Sequence, residues 1–231
     1  MGSIKENLAD ILDKISYIAK QCGRDSVEIE LIAVTKTISP ERINEGIEAG
    51  VKIIGENKVQ EAKDKIDLLN PVTCHMIGHL QTNKVKYAVK LFDMIQTVDT
   101  YKLALEINKR CVTLDKVMPI LIQVNTSGEE SKFGCDPDKV TDLIIEISKL
   151  SNVRIEGLMT IGLFSDNMEL VRPCFIKLRE ISDKLKELQL DKVNMNHLSM
   201  GMSADYPVAI QEGATMSRIG TAVFGPRFYP N

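Results

Sequence analysis

The sequence predicts an α/β chain folded as a single (β/α)8 TIM barrel with an extra helix at its N-terminus. Short apolar, β-branched runs alternate with amphipathic helical patterns along the whole length. About eight such units fit into 231 residues, as a closed parallel barrel requires. No break in composition marks a second domain, so one domain over residues 1–231 is expected. A doubly wound open sheet shares the alternation but wants a glycine-rich phosphate turn after its first strand. Here that strand runs into Thr35-Lys36-Thr37-Ile38-Ser39-Pro40, with no glycine, and no G-x-G-x-x-G follows any other strand.

The opening helix is expected over residues 4–21, where Leu8, Ile11, Leu12, Ile15 and Ile18 recur at helical spacing. The first strand, 30–36, is an apolar run that ends on a lysine. Ser39-Pro40-Glu41 then gives a helix start, and a helix over 41–49. Strands follow at 53–56, 73–79, 94–98, 119–125, 153–160, 193–199 and 216–219. Between them lie helical patterns at 60–69, 84–91, 101–111, 139–150, 170–188 and 206–212.

Composition narrows the partners. A chain 44% hydrophobic and 26% charged buries a full core. A net charge of -3 and a pI near 5.7 give no general attraction to nucleic acid or to an anionic membrane. The five cysteines, Cys22, Cys74, Cys111, Cys135 and Cys174, are scattered and form no C-x-x-C pair, so neither a disulfide framework nor a zinc site is indicated. A reducing cytoplasm fits that pattern. The N-terminus begins a charged amphipathic stretch with Glu6 where a myristoylation signal wants Ser or Thr, and no run is long enough to cross a membrane. A monomer is expected, because no large apolar surface helix stands out.

Lys36 is the first candidate for chemistry. An amine at the C-terminal end of the first barrel strand stands on the face where such folds bind ligands, well placed for covalent chemistry with a carbonyl. That chemistry needs a neutral amine, which partial burial favours. The plainer alternative is an edge lysine whose stem covers the strand end. Phosphate usually docks on the loops after the last two strands of a barrel, where backbone N–H groups converge. Ser199-Met200-Gly201-Met202-Ser203 and Arg218-Ile219-Gly220-Thr221-Ala222 supply hydroxyls and glycines at both places, although such residues also serve plain turns.

The histidines and Glu56 carry less. His75 and His79 share a strand face by period-two counting, but no third ligand converges with them, so no metal site is expected. His75 reads as structural, His79 as a group near the ligand, and His197 as a hydrogen-bonded barrel residue. Glu56 is expected to pair with a nearby cation instead of acting as a base. The polar segment 125–134 is either a solvated loop or a lid and handover surface on the ligand face.

Five motifs together resemble a known family: Ala33-Val34-Thr35-Lys36, Ile54 to Glu61, His75 to Lys84, His197 to Ser203 and Arg218 to Gly225. In this order they are similar to the pyridoxal phosphate homeostasis proteins. The resemblance implies a fold-type III barrel like the alanine racemase N-terminal domain, with pyridoxal 5'-phosphate (PLP) held as a Schiff base on Lys36. It implies that Ser199, Gly220 and Thr221 hold the phosphate, with Met200 in the same segment, and that Asn57 and His79 lie near the ring. Arg218 would face the pyridine nitrogen, to which an arginine can only donate. A surface ion pair or a phosphate contact is the alternative for Arg218.

The implied role is buffering or delivering PLP within vitamin B6 balance, with apo-enzymes as recipients and no established catalysis. The rival from another class is a small PLP-dependent amino-acid racemase. A two-base racemase needs a second proton donor, which a separate β-domain supplies in alanine racemases. The sequence reaches Pro226-Arg227-Phe228-Tyr229-Pro230-Asn231 soon after its last strand, so that domain is expected to be absent. A third reading keeps Lys36 as a counter-charge for another phosphorylated metabolite.

Overall fold

The computed structural model describes residues 2–226. Eight parallel strands close into a barrel in sequence order: β1 (Glu30–Val34), β2 (Ile53–Glu56), β3 (Thr73–Met76), β4 (Met94–Val98), β5 (Met118–Gln123), β6 (Val153–Met159), β7 (Val193–Met202) and β8 (Met216–Ile219). The pairing of β1 with β8 seals it, with Ile32 opposite Arg218 and Ala33 opposite Ile219. Around the strands run α1 (Ile4–Gln21), α2 (Pro40–Glu48), α3 (Val59–Lys65), α4 (Val85–Leu91), α5 (Tyr101–Val112), α6 (Val140–Ser148), α7 (Met168–Glu187), α8 (Tyr206–Gln211) and α9 (Thr221–Phe224).

Local chemistry sets the helix ends. The Ser3 hydroxyl accepts the Glu6 N–H at 3.2 Å and the Glu6 carboxylate accepts the Ser3 N–H at 2.8 Å, a capping box that starts α1. Its buried stripe, Ile4, Leu8, Ile11, Ile15 and Ala19, packs the helix against α8 and α9. Each larger apolar chain there contributes roughly 1.5–3 kcal/mol by leaving water. Elsewhere a long cation closes an end. The Lys116 ammonium donates to Val89 O and Phe92 O at the end of α4, and the Arg24 guanidinium to Ile210 O and Ala214 O after α8.

Side chains on the outer face of the sheet join the helices in one large core, while a separate apolar layer of Ile32, Met94, Leu121, Met159 and Met216 fills the barrel. That interior layer is the floor of the site.

The strand ends depart from expectation where side chains and close contacts override the apolar pattern. β1 stops at Val34, two residues before Lys36, because Thr35 to Ile38 form a turn. β3 stops at Met76 instead of 79. Gly78 passes so close to the preceding loop that a Cβ there would sit 2.2 Å from Asn57 O. The period-two pairing of His75 with His79 therefore fails: His75 is buried in the strand and His79 is an exposed loop residue. β5 ends at Gln123, after which Val124 bridges to Cys135. β7 runs on to Met202, through a segment expected to be loop, because Gly201 at φ 88° lets the strand bend toward α8. Residues 227–231, on which the expected absence of a second domain rested, lie outside the described residues.

Candidate functional site

Going up the inner face by twos, the side chains change from apolar to polar. Met94 is followed by Gln96, Leu121 by Gln123, and Met216 by Arg218. Gln96 and Arg218 meet Ser199 and His75 above the apolar floor. Arg218 is almost wholly buried, so the surface ion pair is ruled out. Its guanidinium donates to Ser199 Oγ at 2.6 Å and to Thr160 O at 2.7 Å. Ser199 in turn donates to Gln96 Oε1 at 2.7 Å, and the Gln96 amide lies 2.9 Å from His75 Nδ1. An amide nitrogen only donates, so His75 Nδ1 accepts and the bonds run in one direction from Arg218 to His75. Burial pushes Arg218 down to about 10, against the pull of Asp205, and it remains a cation. His75 is structural, as expected.

Lys36 is half-buried on the rim. It and Thr37 are the middle residues of a turn closed by the Ile38 N–H on Thr35 O at 3.1 Å. Thr37 has φ 64°, the sign a type II turn demands of its third residue and glycine usually supplies. For a β-branched residue that conformation costs of order 1–3 kcal/mol. A buried ionic cluster holds it. The Lys65 ammonium spends its three donors on Thr35 O at 2.8 Å, the Glu56 carboxylate at 2.7 Å and the Glu61 carboxylate at 3.0 Å. Glu61 also accepts the Thr37 N–H, and Glu56 accepts the Thr35 hydroxyl. Burial raises the Glu56 carboxyl above its ordinary range, with Lys65 opposing, and Glu56 is a partner to a cation as the sequence suggested.

The other expected residues sort by position. Because β8 is the neighbour of β1, the Gly220-Thr221 step stands beside the Lys36 turn. Gly220 is buried, Thr221 is exposed, and α9 begins there with first-turn N–H groups that have no acceptor within the helix. The far end of α9 is fastened by Arg42, which donates to Phe224 O at 2.8 Å, and by Asn7, which donates to Val223 O at 3.1 Å. Asn57 follows directly on β2 and is half-buried. Ser199 lies deeper than a loop residue would, with its hydroxyl engaged by Gln96 and Arg218. The Met200 side chain is fully buried in the core between sheet and helices, which leaves its main chain as the part that can face the mouth.

His79 stacks on Phe133 at 3.8 Å between ring centres, beside a cleft of about 480 Å³ lined in part by Asn83, Asp99 and Lys102. A wider depression of about 610 Å³, around Val51, Lys52, Thr73 and Asp93, opens at the N-terminal strand ends, where barrels carry stability and not chemistry. The segment 125–134 is tied down instead of freely solvated. Lys132 donates to Gly162 O at 2.9 Å and pairs with Glu129, and Gln123 donates to Phe133 O at 3.0 Å.

Lys65, Glu61 and Gln96 were not among the expected site residues. Glu61 and Lys65 carry a signal, the i,i+4 spacing of opposite charges on a helix, but nothing in it says that the pair is buried. Gln96 is a polar break in an apolar strand, which points to an inner face only once Met94 is known to face inward.

The comparison with known proteins agrees with this architecture. The family described as alanine racemase, N-terminal domain, matches residues 7–228. A pyridoxal phosphate homeostasis protein of Aquifex aeolicus is 43% identical over 97% of this chain and 98% of its own length, and one of Escherichia coli K12 is 38% identical over 99% of both. The structure of PipY from Synechococcus elongatus with PLP bound superposes with a TM-score of 0.84 at 33% identity, over 96% of this chain and all of that one. With its lysine turn beside the Gly220-Thr221 step and a barrel matched end to end by these relatives, the chain belongs to the pyridoxal phosphate homeostasis protein family, among the barrels of the alanine racemase N-terminal type.

Proposed function

We propose that this protein binds PLP at the barrel mouth and serves intracellular PLP homeostasis, holding the cofactor on Lys36 and buffering or delivering it to apo-enzymes. The observation that carries this reading is the adjacency of the Lys36 turn on β1 to the Gly220-Thr221 step after β8. One supplies an amine and the other backbone donors. That donor set fits a molecule with an aldehyde at one end and a phosphate at the other. When bound, PLP supplies the carbonyl with which an amine condenses.

The residues of the chain do the rest. Lys36 is the linking amine, Gly220, Thr221 and Ala222 bind the phosphate through N–H groups, and Thr221 adds a hydroxyl. Asn57 and His79 flank the ring, and the Met200 main chain continues the phosphate wall. Arg218 would donate toward the ring nitrogen, and Ser199, whose hydroxyl accepts from its guanidinium, would add its main chain to the phosphate wall beside Met200. A donor-only partner disfavours protonation of that nitrogen and weakens the ring as an electron sink, which supports a carrier over a racemase.

Borohydride reduction of the PLP-loaded protein followed by peptide mass analysis tests the linkage. The expected result is one PLP-sized addition on the peptide containing Lys36, absent from Lys36→Ala. An addition elsewhere, or none, overturns the assignment.

A further inference from the structure

The Lys36 turn is held on both sides of the lysine, and by the same buried ammonium. On the N-terminal side, Thr35 O accepts Lys65; on the C-terminal side, the Thr37 N–H is held by Glu61, itself bonded to Lys65. Between these two anchors the chain keeps a threonine in a conformation that favours glycine. A charge cluster with two of its three members buried is a costly way to support an ordinary surface turn, since Lys65 and Glu56 must both be desolvated while Glu61 keeps part of its side chain in water. Backbone strain of this kind persists only where the surroundings over-determine it.

We infer that Glu61 and Lys65 are positioning residues, which hold the Thr35–Ile38 turn in its strained form and thereby aim the Lys36 amine at the cofactor's aldehyde. The inference rests on the reading of Lys36 as the linking amine. Glu61 reaches the turn from the first part of α3, and Lys65 from the end of that helix. One helix thus sets the geometry of a lysine on the preceding β/α unit. Without Glu61 the Thr37 N–H loses its anionic acceptor, and the turn relaxes toward a negative φ that re-aims its neighbour.

The test combines variants of Glu61 and Thr37 in the full chain stripped of PLP, with the absorbance of the linked cofactor followed after PLP is added. Glu61→Gln keeps the shape of a partly exposed side chain and is expected to slow linkage about tenfold, the scale of one strained residue. Glu61→Asp, too short to reach Thr37, is expected to do the same. Adding Thr37→Gly to Glu61→Gln should bring the rate back to within about twofold of the starting protein, because glycine holds a positive φ without help. A helix-stabilising role alone would lower the melting temperature of the glutamine variant and would not be rescued by glycine. A wild-type linkage rate in both Glu61 variants, or no rescue by Thr37→Gly, overturns the inference. Retention of the linked absorbance by Lys36→Ala would instead overturn the reading of Lys36 itself.

Discussion

Within the interior polar layer, each group is set by the one beside it. Burial holds the His75 imidazole down to about 4, with Asp93 opposing and His197 adding to the effect. It is therefore neutral near pH 7, as its acceptance of the Gln96 amide requires. The sign of the pH effect follows. An imidazole in the unfolded chain titrates near 6.5, so between about pH 6.5 and 4 the unfolded state takes up a proton that the folded state refuses. The stability that His75 contributes is complete above about 6.5 and is lost as the pH falls toward 4. Glu56 works in the opposite sense, since its raised carboxyl makes the folded state the better proton binder. Thermal melts of the cofactor-free protein at a series of pH values should show stability falling with acid, and His75→Gln should flatten that fall. An unchanged slope in the variant would remove His75 as its source.

Among the elements, α9 shows how a short segment is made rigid from outside. Its four residues are too few to hold themselves, and Arg42 from α2 and Asn7 from α1 fasten its carbonyl end. Arg42→Ala should loosen the first-turn N–H groups of α9, which on the proposed reading hold the phosphate, weakening PLP binding by about tenfold, the low end for a hydrogen bond to a charged group. Binding of pyridoxal, which lacks the phosphate, should hardly change; equal losses for both would show that Arg42 acts on the barrel as a whole. Strands and most helices were legible in the sequence because their apolar periods are local. α9 was not, because four residues carry no period and its support comes from residues far away in the chain. The true end of β7 was hidden for a related reason, since Ser199-Met200-Gly201 reads as loop until Gly201 is seen to bend a strand that is still paired. The positions of Lys36, Gly220 and Thr221 were legible because all three follow closely on strand ends, which the fold class alone places at one mouth of the barrel. The depth of Ser199, the burial of Met200 and the cluster around Lys65 depend on packing that no spacing rule encodes.

Across the whole molecule, the barrel brings the Lys36 amine and the buried Arg218 guanidinium toward one mouth, while the carboxylates beside the Lys36 turn are bonded to Lys65. Glu56 and Glu61 are both taken by Lys65, and neither is a free carboxylate poised over the mouth. Among the described residues no helix is long and apolar enough to cross a membrane, and no three His, Cys, Asp or Glu side chains converge as metal ligands. Proton abstraction from an amino acid needs a base of suitable pKa within hydrogen-bond reach, and a ring able to accept the resulting charge. On the proposed reading, in which Arg218 faces the ring nitrogen, a donor-only guanidinium works against the second requirement, and the paired carboxylates work against the first. The carrier reading therefore predicts that PLP-loaded protein incubated in D2O with L- and D-amino acids exchanges the α-hydrogen no faster than free PLP does, by NMR. Exchange that exceeds free PLP and disappears in Lys36→Ala would show that the site moves the α-proton. The racemase reading would then displace the carrier, with Lys36 serving as base as well as linkage.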